Sequence, residues 1–301
     1  MAIKIHPEAI EHLPLTQQLI IRRIFNRVSK ENKNALICVT GPTGSGKSYA
    51  VLSLIIGLYL YQYGEYPPLE YVKDHSVFKS KDFLQKINNP NLRPLEAWLF
   101  DEVGVEASSK DHASNHNKAL NFVVQTFRHL QQIVFFTVPS FFFMDKSVRN
   151  MVHYKLETVS INKAKKTNKC KFFILDYNER RDKLYFKYIK VLTGEYKAKV
   201  KRINTALIPK EYADQYEAQK TIYSEELRGK ILTKLEKAEE KENKELNIEK
   251  KPLTERQQAV YDAFMSGLPT GTAVAKKLGL NDVQVCEAKK GFIKKGYILP
   301  K

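Results

Sequence analysis

The stretch that most constrains this chain is Gly41-Pro42-Thr43-Gly44-Ser45-Gly46-Lys47-Ser48, which lies between the apolar run Ala35-Leu36-Ile37-Cys38-Val39 and helix-forming residues 48–61. It fits the spacing G-x-x-x-x-G-K-[ST] without a departure. Glycines at 41, 44 and 46 let successive backbone N–H groups turn inward on one anion, and the helix that follows adds the positive end of its dipole. The pattern therefore predicts a buried strand, a phosphate-cradling turn and a helix in immediate succession. Only an α/β architecture, with strand ends delivering loops to one edge of a sheet, accommodates that order. The expected ligand-binding positions are Gly41, Pro42, Thr43, Gly44, Ser45, Gly46, Lys47, Ser48 and Tyr49. Lys47 faces the β- and γ-phosphates, and the Ser48 hydroxyl is a ligand for Mg²⁺.

A second apolar run, Ala97-Trp98-Leu99-Phe100, ends in Asp101-Glu102. A strand apolar on both faces runs through the sheet centre, so Asp101 emerges at its C-terminal end beside the phosphate turn. Asp101 is expected to hold the metal's water shell, and Glu102 to orient or deprotonate an attacking water. A base at that place favours hydrolysis over phosphorylation of a metabolite. The guanine-specifying pattern N-K-x-D is missing, since Asn162-Lys163-Ala164-Lys165 ends in lysine. The expected cofactors are ATP and Mg²⁺. A third run, Ile133-Val134-Phe135-Phe136, ends in Thr137, a candidate γ-phosphate sensor.

Helical spacing over 13–28 and 118–130, interleaved with these runs, implies a mostly parallel sheet with helices on both faces. The 301 residues divide into a nucleotide domain over 1–210, a charged helical linker over 211–252 and a small domain over 253–301. No apolar run is long enough to span a bilayer, so membrane insertion is not expected. Cys38, Cys170 and Cys286 lack metal-like spacing, and the chain opens without a leader pattern. The expected location is the cytoplasm, or a host's cytoplasm if the chain is virus-encoded.

A formal net charge of +17 points to a polyanionic partner, nucleic acid before membrane. Residues 161–202 carry 14 Lys/Arg against 4 Asp/Glu. Within them, "KFFILDYNERRDKLYFKYIKV" reads as two strands around a turn at 178–182, either an edge hairpin solubilised by lysine or a DNA-facing surface. The tail "GTAVAKKLGLNDVQVCEAKKGFIKKGYI" has helix-turn-helix spacing. Ala275 is the small contact residue, Gly279 the turn, Val285 the returning apolar residue, and Asn281 the cap of the second helix. Residues 292–299 read as a short wing after Gly291. If this domain meets duplex DNA, Gln284, Lys289, Lys290, Lys294 and Lys295 are the expected contacts. Asp282 and Glu287 keep a protein partner open as well.

Together, residues 41–48, the Leu99-Phe100-Asp101-Glu102 strand and the stretch "FRHLQQIVFFTVPSFFFMDKSVRN" resemble the FtsK–HerA superfamily of P-loop ATPases. That superfamily comprises DNA translocases and packaging ATPases, with viral, mobile-element and Zot-like relatives. Arg128, Thr137, Pro139 and Ser140 follow the family's order, whereas Val138 stands where the family has glutamine. The resemblance implies a homo-oligomeric ring in which a neighbour's arginine reaches the γ-phosphate; Arg149 and Arg128 are the candidates. It also implies an ATP-driven motor that translocates or packages double-stranded DNA. The rival readings are an AAA+-like nucleotide-switched regulator or helicase loader, and a Zot-like virion-assembly ATPase.

Overall fold

The computed structural model describes residues 4–101, 130–193, 196–246, 252–268, 270–295 and 297. The predicted apolar runs form the parallel part of one sheet: β1 (Ala35–Thr40), β2 (Ser76–Val77), β3 (Ala97–Phe100), β4 (Ile133–Thr137) and β5 (Tyr154–Asn162). Their order is β2-β3-β4-β1-β5, with each neighbouring pair parallel. Successive side chains on a strand point to opposite faces. Ile37, Leu99 and Phe135 therefore enter one core while Cys38, Phe100 and Phe136 enter another.

Each face has its own helices. On the first lie α1 (Leu15–Ser29) and α2 (Lys47–Tyr63), joined in that core by Val72 of α3 (Leu69–His75). On the second, α4 (Ser80–Ile87) contributes Phe83 and Ile87, and α5 (Lys146–Met151) contributes Val148. Gln17, fully buried in α1, ties this packing together. Its Nε2 donates to Ser53 O at 3.1 Å and Ser53 Oγ at 3.0 Å, and its Oε1 accepts from Ala206 N at 2.8 Å.

Beyond β5 the sheet continues through β6 (Thr167–Asn178), β7 (Lys183–Thr193), β8 (Tyr196–Val200) and β9 (Ile203–Ala206), all antiparallel. The basic hairpin is present, turning through a short 3-10 segment at Glu179–Arg181 and Asp182 at φ 48°. The expected α/β sheet with helices on both faces is thus mixed in direction, parallel up to β5 and antiparallel after it. The cause is connection length: the links from β5 to β9 are two to four residues long, too short for the crossover that parallel neighbours need.

The segment expected as a solvated spacer from 211 is packed over its first part, while 228–239 are exposed as its charge suggests. Helix α6 (Lys210–Leu246) packs its first half into the first core through Tyr212, Tyr216 and Tyr223. These tyrosines recur at a helical spacing and form one apolar face. The first compact unit consequently runs to Arg228, and the second begins at Gly229.

In the second unit α7 (Glu255–Met265), α8 (Gly271–Leu278) and α9 (Asp282–Lys294) enclose Val260, Phe264, Val274, Val285 and Phe292. Gly279 ends α8 at φ +63°, and Asn281 caps α9 as expected. Where the wing is expected to begin, residues 292–294 are instead the end of α9; residues 296, 298 and 299 of the expected wing lie outside the described residues. Phe292 is buried against Tyr261, ring centroids 5.3 Å apart. Gly291 is a close-approach position, not a turn: a Cβ there would stand 2.2 Å from Gln257 Nε2.

Candidate phosphate-binding site

Because β1, β3 and β4 are parallel and in register, their C-terminal ends fall on one edge of the sheet. That edge collects the 41–46 turn, Asp101, and Thr137 with Val138. Gly46 caps α2 in the left-handed region at φ +83°, where a side chain would be strained. Gly41 is required for space: a Cβ would meet Thr158 Oγ1 at 2.2 Å and Ser45 Oγ at 2.8 Å. Ser45 fastens the turn from below, its Oγ donating to Pro42 O at 2.7 Å and lying 2.6 Å from Thr158 Oγ1 on β5. The Lys47 ammonium bridges the turn, donating to Gly41 O at 2.9 Å and Pro42 O at 3.1 Å.

Asp101, 1% exposed, is the centre of the polar cluster. Ser48 Oγ donates to its two oxygens at 3.2 and 3.0 Å, and Thr137 Oγ1 donates to Oδ1. Tyr216 Oη donates to Oδ2, and Lys220 Nζ lies 3.5 Å from the same oxygen. A carboxylate this deeply buried is tolerated because donors and a cation surround it. Ser48 and Asp101 present adjoining hard oxygen donors, a set that suits a magnesium ion. The cleft they line has a volume of about 320 Å³, and its walls include Thr43, Gly44, Tyr49, Val138, Tyr216 and Lys220. Tyr49 donates to Glu217 Oε1 at 2.9 Å, and its phenol is pushed up to about 12, chiefly by burial with the Glu217 hydrogen bond adding to it.

Thus Lys47, Ser48, Asp101 and Thr137 meet at the cleft. Val138, where the resembled family has glutamine, is an apolar part of its wall. Arg149 stands elsewhere, its guanidinium 5.2 Å over the Phe142 ring. Glu102 and Arg128 lie outside the described residues. In the second unit Gln284 is engaged in the α9 capping box, its Oε1 accepting from Asn281 N at 3.1 Å. The Lys295 ammonium donates to Pro252 O at 2.9 Å and Gln257 Oε1 at 2.7 Å, and Lys289 sits 5.2 Å over the Phe264 ring. Gln284 and Lys295 thus have hydrogen-bond partners within the unit, while Lys289 is exposed. Lys290 and Lys294 are exposed.

Sequence reasoning missed Tyr216, Glu217 and Lys220. The readable signal was the stripe Tyr212, Tyr216, Tyr223 and Leu227, whose spacing marks a buried face within a segment otherwise rich in both charges.

No family model matches the sequence, and no curated protein matches it. Among solved structures, the chain is similar to the N-terminal domain of zonular occludens toxin from Neisseria meningitidis. The TM-score is 0.31 at 15% identity, over 60% of this chain and 97% of that one. Among the described residues, no helix is long and apolar enough to cross a membrane.

Proposed function

We propose that this chain is a Mg²⁺-dependent ATPase that works as a homo-oligomeric ring on double-stranded DNA, within the FtsK–HerA group of motors. The observation that carries the nucleotide reading is the convergence of Ser48 and Asp101 beside the glycine turn at the strand ends. In this reading the turn's backbone N–H groups bind the β-phosphate, and Lys47 exchanges its carbonyl partners for phosphate oxygens. Ser48 and Asp101 hold the metal, which neutralises charge on the phosphates when bound. Thr137 reports on the γ-phosphate through Asp101, and Glu102 positions the attacking water. A neighbouring subunit supplies Arg149 or Arg128 to the γ-phosphate.

The DNA reading is supported by the outer antiparallel strands. Lys190 on β7 faces Lys199 on β8, and Lys197 faces Leu192. Among the described residues no ion pair involves Lys190, Lys197 or Lys199, whereas Lys171 and Lys187 pair with Glu157 and Asp176. Like charges placed directly opposite are unfavourable in a sheet, a cost that a phosphate backbone offsets. In the second unit, Lys289, Lys290 and Lys294 are exposed basic positions that could meet DNA, and a protein partner is the alternative occupant.

The test is ATP turnover with and without linear duplex DNA, beside Glu102→Gln and across salt concentrations. DNA stimulation that Glu102→Gln abolishes and salt weakens is the expected result. Turnover indifferent to DNA, with ATP still changing the assembly state, would replace the motor with an AAA+-like switch or a Zot-like assembly ATPase.

A further inference from the structure

We infer that the outward face of α9 pairs two copies of this chain, the two helices lying antiparallel about a twofold axis. The inward face of α9 is Val285, Ala288 and Phe292, all buried. On the outward face Val283 is 65% and Ile293 52% exposed, Cys286 is exposed, and the exposed Lys290 completes the line. Positions 283, 286, 290 and 293 are spaced by three, four and three residues, the a-d-a-d line along which helices pack against one another. A helix that reads base edges carries hydrogen-bonding groups along its centre. Here Val283, Cys286 and Ile293 occupy that centre, and Gln284 is engaged in the capping box.

The flanking charges choose the occupant and its direction. In the heptad that this line defines, Asp282 and Lys289 take the g positions and Glu287 and Lys294 the e positions, and all four are exposed. A parallel pair sets each g beside the following e of the other helix, Asp282 against Glu287 and Lys289 against Lys294, which is like against like at both. An antiparallel pair sets e against e and g against g, so Glu287 meets Lys294 and Asp282 meets Lys289 of the second copy. The same twofold lays the acidic first half of one α9 along the basic second half of the other and opposes their dipoles. Val283 then packs beside Ile293, and Cys286 beside the stem of Lys290, whose ammonium reaches out to water. Every contact recurs by symmetry, as an isologous interface requires. A lysine on the central line costs stability and fixes the register. So short a helix buries little area, so the pair is weak between free chains and gains wherever other contacts hold copies together.

The chain holds three cysteines, of which Cys38 and Cys170 are buried and Cys286 is exposed. Cross-linking of the full chain by a short bis-maleimide, followed by intact mass over a concentration series, therefore reads this face. A covalent dimer that disappears in Cys286→Ser is the result expected of the wild type. Val283→Asp should slow its formation about tenfold, because a carboxylate would be buried against Ile293. Glu287→Lys alone and Lys294→Glu alone should each slow it about fivefold, and the two together should restore it, which also shows that the unit remains folded. No dimer from the wild type, a rate indifferent to these charges, or a rate raised by Glu287→Lys, the mark of a parallel pair, would overturn the inference. So would a dimer that forms only with duplex DNA present and survives Val283→Asp, because DNA would then be the occupant of this face.

Discussion

Strands β4 and β7 belong to one sheet yet obey opposite sequence rules. Every residue of Ile133–Thr137 is buried, because helices cover both faces of the parallel half. In Lys183–Thr193 lysines interrupt the aromatics, and Phe186 is 44% and Leu192 74% exposed. The difference teaches where a polar residue carries information. In β1, β3 and β4 there is no room for one except at a strand's end, so Asp101 and Thr137 mark the site by their presence. In the antiparallel half lysine is inexpensive on a wet face, so charge alone marks nothing; the cross-strand pair Lys190 and Lys199 does.

Four outcomes would break or sharpen this contrast. Phe135→Ala in the parallel half should cost about 3–5 kcal/mol in urea denaturation, and Phe186→Ala in the antiparallel half about 1 kcal/mol or less. Comparable losses would show that both halves are load-sharing core. Lys47→Ala should weaken binding of a fluorescent ATP analogue about a hundredfold, while Lys190→Ala, Lys197→Ala and Lys199→Ala together leave it within about twofold. Coupling between those lysines and the nucleotide would erase the division of labour.

The third outcome concerns His153, at the junction of β1 and β5, whose Nδ1 accepts the Leu36 N–H at 3.0 Å. Burial, with Arg27 and Lys33 adding, holds its pKa down to about 3. The unfolded chain titrates near the ordinary histidine value of about 6.5 and takes up the proton first. Stability is therefore complete above about pH 6.5 and falls as pH drops toward 3, by about 2 kcal/mol at pH 5. His153→Gln should flatten denaturation midpoints between pH 7 and 5; an unchanged slope would exclude His153 as the cause. Smallest in effect, the triple lysine variant should weaken duplex binding about tenfold and lower the salt slope by up to about three. A slope left intact would move the DNA contact off this face.

The strands, the turn and Asp101 were legible because the apolar runs and the glycine spacing are local, and local patterns survive into any α/β fold. The same holds for the Asn281 cap. The residues of α6 read as a spacer because their two charges outweigh the tyrosine stripe, and a wing is expected after Gly291 because glycine permits both turning and close contact. For Gln284 and Lys295 the sequence shows a polar side chain but not its partners within the unit, Asn281 for the first and Pro252 and Gln257 for the second.

What the sequence by itself determined is the chemistry: a glycine turn, a lysine, a hydroxyl and a carboxylate at the ends of buried strands, each set by spacing within a few residues. Only the tertiary structure decided that Tyr216 and Lys220, 115 and 119 residues from Asp101, share its carboxylate. That pairing arises because a buried charge must be satisfied, and the group that satisfies it is whichever packed helix reaches it, a choice that no local pattern encodes.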